Sequence, residues 1–182
     1  RRQRQMCIRD RGGADRNMDF VKQMQQQALV LLKNENNILP LDKRQIKKVL
    51  VTGPLADEDN FMTSRYGPNG LETVTVLAGL RNYLKGIADV DYAKGCDIVD
   101  AGWPATEILP APMSEQEKHG ITEAVAKADE SDVIIAVLGE DEYRTGESRS
   151  RTSLDLPGRQ QQLLEALHAT GKPVILVLIN GQ

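Results

Sequence analysis

With 182 residues, 40% of them hydrophobic and 27% charged, the chain can bury one good core and does not read as disordered, collagen-like, coiled-coil or membrane-embedded. A net charge of -3 leaves no electrostatic footprint for nucleic acid or an anionic membrane, so a neutral small molecule or sugar fits better than a polyanion. No apolar stretch approaches bilayer length and no charged-then-apolar leader is present, so the compartment stays open. Two cysteines, Cys7 and Cys96, and two histidines, His119 and His168, are too scattered to predict a disulfide framework, a metal site or a cofactor.

Residues 1–11 stand apart. Met6-Cys7-Ile8-Arg9-Asp10-Arg11 resembles the translation of a transposon end used in preparing sequencing libraries, so the native protein is expected to begin near Gly12. The alternative is a genuine basic leader; in either case residues 1–11 show no apolar periodicity that needs a core. At the other end the chain stops at Gln182 directly after an apolar run, so it reads as a fragment. The expected division is a non-native leader over 1–11, an interdomain helix and lead-in over 12–46, and an α/β sandwich over 47–182, truncated at its C-terminus.

From Met18 to Leu32, Val21, Met24, Ala28, Leu31 and Leu32 recur at helical spacing and predict a helix that relaxes near Leu32. Lys33 to Asn37 then supplies turn chemistry before Ile38-Leu39-Pro40-Leu41. Lys48 to Gly53 is a short β-branched run stopped by Gly53-Pro54, a buried strand. After a polar loop to about Gly70, Val76, Leu77, Leu80, Tyr83 and Leu84 form a helical stripe ending at Gly86, and Ala88 to Ala93 is a second extended run. A linker through Trp103-Pro104 and Pro110 to Pro112 leads to Ser114-Glu115-Gln116-Glu117, a capping box whose helix turns Ile121, Ala124, Val125 and Ala128 inward. Asp132 to Gly139 is apolar without alternation, as expected of a strand covered on both faces. Pro157 opens a last helix with Leu163, Leu164 and Leu167 inward, Gly171 ends it, and Pro173 to Ile179 is another apolar strand.

About four strands alternating with helices, without hairpin signals, predict an open, mainly parallel α/β sheet flanked by helices. Ligands of such sheets gather beyond the carboxyl ends of the strands, here at the loops Gly53 to Gly70, Gly95 to Pro112 and Gly139 to Leu156. The third is long for a compact domain, and from Gly139 to Arg151 it carries four carboxylates and three guanidiniums. A carboxylate beside a dry pocket can serve as a general acid, and arginines can hold hydroxyls or orient that acid. On these grounds alone, a solvated mixed-charge loop is an equal reading. No Gly-x-Gly-x-x-Gly follows a strand and no Gly-x-x-x-x-Gly-Lys-Ser/Thr occurs, so nucleotide binding is unsupported.

Four segments carry a family resemblance: Ala28 to Leu41, Gly139 to Arg151, Ser153-Leu-Asp-Leu-Pro-Gly-Arg-Gln160, and Gly171 to Gly181. Together they resemble the second domain of glycoside hydrolase family 3, and the similarity runs from Met18 to Gln182. Ser64 to Leu77 and Glu107-Ile-Leu-Pro110 look especially like its bacterial β-glucosidase and β-xylosidase branch.

The resemblance implies a retaining β-glycosidase acting on terminal β-D-glucosides or β-D-xylosides, without cofactor or metal. Its aspartate nucleophile would lie on an N-terminal (β/α)8 barrel of the same full-length chain and its acid/base glutamate on a loop of this domain, so the chain alone is expected to be inactive. Gly146-Glu147-Ser148-Arg149-Ser150-Arg151 resembles the acid/base segment, which makes Glu147 the candidate and Glu140, next to the strand, the runner-up with a structural role. Arg65 and Tyr66 are candidate substrate-binding residues, since an aromatic face packs on a pyranose and a guanidinium donates to its hydroxyls; for Tyr66, loop packing is the alternative. Trp103 reads as a hydrophobic plug or a sugar platform, and Arg151 and Asp155 as a pair anchoring the return to the helix. The expected partner is a β-linked oligosaccharide or glycoside, with no nucleic acid or membrane, and a periplasmic or secreted location follows only by resemblance. The rival is a noncatalytic interaction domain whose charged loop binds a partner protein.

Overall fold

The structure is a computed structural model that describes residues 18–59 and 73–181. The leader over 1–11, with Cys7, and the candidate residues Arg65 and Tyr66 lie outside the described residues. The chain divides into two units, Arg1–Pro40 and Leu41–Gln182.

In the first unit, helix α1 spans Met18–Ala28. It ends four residues before the expected Leu32. Leu29, Val30, Leu31 and Leu32 are 65–80% exposed, and a short helix without a face to bury is not sustained by periodicity alone. Beyond it, the Asn34 side chain accepts from the Leu39 N–H at 3.0 Å and donates to the Leu39 carbonyl at 2.8 Å, bracketing a single 3-10 turn over Glu35–Asn37. Asn34 is therefore a loop clasp, and its neighbours Lys33 and Glu35 pair in solvent.

The second unit is a four-stranded parallel sheet in the order β2-β1-β3-β4, formed by β1 (Lys48–Thr52), β2 (Asp89–Ala93), β3 (Val133–Gly139) and β4 (Val174–Ile179). The expected α/β class and parallel alternation are borne out. Thr52 pairs with Ala93 on one side and Ala136 on the other, so the chain reverses its direction of winding between β1 and β3. That reversal makes a crevice at their carboxyl ends.

Alternation along the central strands divides two cores. Leu50, Ala93, Ile134, Ala136 and Leu138 face α4 (Glu115–Asp129) and α5 (Gln160–Ala169) through Ile121, Ala124, Ala128, Leu163 and Leu167. On the other face Val49, Val51, Val133, Ile135 and Val137 pack with Leu77 of α2 (Val76–Tyr83), Leu84, Leu55 and Ala56. Each of the fully buried leucines contributes roughly 1.5–3 kcal/mol. All seven residues of β3 are buried, as an apolar run without alternation requires. The equally apolar β4 instead leaves Leu176 and Leu178 about 40% exposed, because it is an edge strand.

The expected capping box is present in both directions: Glu117 N–H donates to Ser114 Oγ at 3.2 Å, and Ser114 N–H donates to Glu117 Oε2 at 2.6 Å. Two expectations fail locally. Tyr83 is 62% exposed and sits beneath the Lys43 ammonium, 3.7 Å from its ring centre, instead of joining the core stripe. The last helix opens at Gln160 and not at Pro157, because Gly158 has a φ of +62° and its backbone is pressed against Val99 and Asp100. One short helix, α3 (Ala105–Ile108), falls in the segment expected to be a linker.

Candidate active site

Strand β3 ends at Gly139, where φ is +136° and a Cβ would stand 1.8 Å from the Ile179 carbonyl oxygen. Only glycine lets the chain turn away there while β4 stays paired. The neighbouring backbone is then held by Gln160, a fully buried amide. Its Oε1 accepts from the Gly139 N–H at 2.8 Å, and its Nε2 donates to the carbonyls of Gly139 and Ile98, each at 2.9 Å. One side chain at the start of α5 thus joins the exits of β3 and β2.

The next residue, Glu140, is buried, and its Oε1 accepts from Arg151 Nη1 at 2.6 Å. Arg151 also sends Nε and Nη2 to Oε1 of Glu107, at 3.0 and 2.9 Å, and Nη2 to the Asp155 carbonyl at 2.8 Å. The Trp103 ring covers the guanidinium, 5.5 Å from centre to carbon. The side chains of all three ionic partners are 10% exposed or less. Burial works against the arginine's charge, but donation to Glu140 and Glu107 outweighs it and holds the Arg151 pKa above its ordinary value.

The sequence reading of Arg151 is therefore corrected in part. It anchors the return to the helix through the Asp155 backbone, and its carboxylate partners are Glu140 and Glu107. Glu140, the runner-up for the acid, is paired with Arg151 at the base of the loop, and the Trp103 ring lies over the arginine. Glu107 as an ionic partner was not foreseen; its only signal was its place in a family motif, since 44 residues separate it from Arg151.

A second guanidinium repeats the device. Arg159, also buried, donates Nε to Glu117 Oε1 at 3.0 Å and Nη2 to the carbonyls of Ala111 and Pro112 at 2.8 and 3.3 Å. Burial pushes the Glu117 carboxyl up, but the Ser114 N–H and the Arg159 guanidinium outweigh it and hold it below the usual carboxylate range. A cleft of about 500 Å³ opens beside this pair at the carboxyl end of β2. On its walls Lys94 pairs with Asp97, Arg159 with Glu117 and Glu123 with Lys127, and the Asp100 carboxylate accepts from the Gly102 N–H and the Thr106 hydroxyl. Cys96 in its wall is buried, and burial pushes its thiol up to about 12.

Between Glu140 and Arg151 the loop projects outward. Its first half is braced by Asp141, whose carboxylate accepts from Arg144 Nη1 at 2.5 Å and from the Tyr143 N–H at 3.1 Å. Its far end is a turn in which the Arg149 N–H donates to the Gly146 carbonyl at 3.2 Å. Glu147 and Ser148 are its central residues, and Ser148 takes a φ of +62°. This is the φ sign of a type II turn at the position that glycine or asparagine usually fills. Glu147 is exposed at the tip, on a strained segment of the kind that collects at functional sites.

A parallel sheet with a charged loop at its winding reversal defines an open α/β domain, and comparison with known proteins gives its family. The profile of the glycosyl hydrolase family 3 C-terminal domain matches residues 29–182. A β-xylosidase of Formosa agariphila is 38% identical over 93% of this chain and 22% of its own length. A periplasmic β-glucosidase of Salmonella typhimurium is 38% identical over 88% of the chain and 22% of its own. Among solved structures, a β-glucosidase from Erythrobacter marinus superposes with a TM-score of 0.65 at 34% identity, over 84% of this chain and 22% of that one. The chain belongs to glycoside hydrolase family 3, as its C-terminal domain. It spans about a fifth of the length of the curated relatives it matches.

Proposed function

We propose that the full-length protein is a retaining β-glycosidase that releases terminal β-linked glucose or xylose, with this domain contributing the acid/base loop. The nucleophile is then an aspartate on an N-terminal (β/α)8 barrel of the same chain, and the substrate a β-linked oligosaccharide or glycoside. What carries the reading is the 38% identity to a β-xylosidase and to a β-glucosidase over nearly the whole domain. A periplasmic or secreted location draws its support from the Salmonella relative, which is periplasmic. Residues 1–11 remain in this reading a non-native leader, residues 12–46 the interdomain lead-in, and residues 47–182 a sandwich that continues in the longer chain.

Retention requires two carboxyl groups about 5 Å apart, one to attack the anomeric carbon and one to protonate the departing oxygen and then deprotonate water. Glu147 takes the second part. The support is its position: an exposed carboxylate at the tip of a loop with a clamped base can reach across to a neighbouring domain, whereas Glu140 is committed to Arg151. Arg65 and Tyr66 are assigned to the sugar, by hydrogen bonds from the guanidinium and stacking on the ring.

The test is Glu147→Ala in the full-length enzyme. For a substrate with a poor, alkyl leaving group, kcat/KM is expected to fall by about 10²–10⁴-fold. For a dinitrophenyl glycoside, which needs no proton, kcat/KM should stay close to the parent's while kcat drops, because the glycosyl-enzyme accumulates. Azide attacks that intermediate without a general base, so it should raise kcat and yield the glycosyl azide of retained configuration. Equal losses on both substrates with no azide product would remove Glu147 from the role, and turnover by the 182-residue chain alone would overturn the two-domain assignment.

A further inference from the structure

We propose that Arg151 is the positioning residue of the acid/base loop, acting as a clamp across the loop's neck and, through Glu107, as its tie to the neighbouring loop. The inference rests on the reading of Glu147 above and concerns what holds that residue on target.

Three observations carry it. First, Glu140 and Arg151 are the two ends of the projecting segment, eleven positions apart, and they are bonded to each other at 2.6 Å. A loop closed at its neck by a buried contact behaves as a compact unit whose tip follows its base. Second, several bonds tie the outer part to itself: the Asp141 carboxylate accepts from Arg144 Nη1 and the Tyr143 N–H, Thr145 Oγ1 donates to the Asp141 carbonyl, Arg149 Nη1 donates to the Tyr143 carbonyl, and the Arg149 N–H closes a turn on the Gly146 carbonyl. They fix the shape of the tip, and the neck fixes where that shape points. Third, the guanidinium is shared. Glu107 comes from α3 in the loop after β2, so one side chain ties that loop to the loop after β3.

The fork cannot be replaced by a lysine. Three nitrogens act in one plane toward Glu107, Glu140 and the Asp155 carbonyl, with the Trp103 ring over that plane. An ammonium is a point charge without that geometry. The cluster also holds two carboxylates against one guanidinium. Replacing Glu107 by glutamine leaves the Arg151–Glu140 pair neutral and intact, whereas losing Arg151 leaves two buried carboxylates facing each other. Glu107→Gln is therefore the milder probe.

The experiment measures Arg151→Lys, Glu107→Gln and each combined with Glu147→Ala in the full-length enzyme, against alkyl and dinitrophenyl leaving groups. Arg151→Lys should lose about 10²-fold in kcat/KM on the alkyl substrate, the order expected of a misplaced catalytic group, and little on the dinitrophenyl one. Azide should raise its kcat. Glu107→Gln should show the same split more weakly. In the Glu147→Ala background either change should cost no more than about a further twofold on the alkyl substrate, because the group being positioned is already gone. Equal losses on both leaving groups, or full losses that persist in the Glu147→Ala background, would overturn the proposal and leave Arg151 a stabilising residue only. If Arg151→Lys does not fold, Glu107→Gln decides by the same criteria. If Glu147→Ala itself shows no leaving-group dependence, the Glu147 reading fails separately. A split in Arg151→Lys would then still support a clamped acid elsewhere on this loop, and no split would overturn the clamp.

Discussion

The base and the tip of the loop after β3 are built from the same residue types and to opposite ends. At the base, Glu140, Arg159, Gln160 and the side chain of Arg151 are buried, and each side chain bonds to at least one partner distant in sequence. At the tip, Glu147 and Ser148 are exposed on a turn with a left-handed residue. Charged groups at the base hold the fold, whereas Glu147, the acid/base of the function proposed above, is exposed. Burial marks the scaffold here, and its absence marks the candidate catalyst.

The sharpest way to break that contrast is at the base. Gln160→Leu keeps the volume roughly constant but leaves the Gly139 N–H and the carbonyls of Gly139 and Ile98 without their partner. With about 1 kcal/mol or more lost for each unsatisfied buried group, the expected destabilisation is roughly 3 kcal/mol. Thermal unfolding of the 182-residue chain should show a drop in Tm of roughly 10 °C. A shift of less than about 2 °C would mean that the loop base tolerates unpaired backbone, and that the neck is not the rigid element described.

A milder test lies in the second arginine tie. Glu117 closes the capping box and receives Arg159, and its folded pKa is lowered. A carboxylate with a depressed folded pKa adds stability above its unfolded pKa and loses it as pH falls through the folded value. Glu117→Gln keeps an acceptor for the Ser114 N–H but loses the charge that meets Arg159, and should therefore lower stability by about 1 kcal/mol at neutral pH, the scale of one charge-assisted hydrogen bond. The gap to the parent should close on acidification below the usual carboxylate range, where the parent's own glutamate is protonated. A gap that stays constant down to strongly acidic pH would assign the effect to packing and not to charge.

Much of the scaffold was legible in the sequence because its signals are local. The uninterrupted apolar run of β3, the Ser114 to Glu117 box and the helix–strand alternation each lie within a few residues, and each formed as read. The polar network was not. Gln160, Gln161 and Gln162 are identical on paper, yet only Gln160 is fully buried, because Gly158 turns the chain so that this one glutamine meets the end of β3. Arg151 likewise offered Asp155 as a near partner, while its carboxylates came from 11 and 44 residues away. The family motif around Pro157 to Gln160 was a correct pointer to membership, and its residues turn out to be the joints between loops. The helix expected to Leu32 failed for the converse reason, since periodicity states which side could be buried and not whether anything covers it.

The smallest expected effect sharpens the comparison from the other side. Among the described residues the Glu147 side chain holds no hydrogen bond or ion pair: it is exposed, and the turn that carries it is closed by the backbone of Gly146 and Arg149. Glu147→Ala should thus change stability by no more than about 0.5 kcal/mol, a Tm shift of about 2 °C or less. The same substitution is expected to cost orders of magnitude on poor leaving groups, and that pairing of a large kinetic loss with an unmoved Tm separates a chemical role from a structural one. A fall in Tm matching that of Gln160→Leu would place Glu147 with the scaffold and return the search for the acid to the rest of the loop.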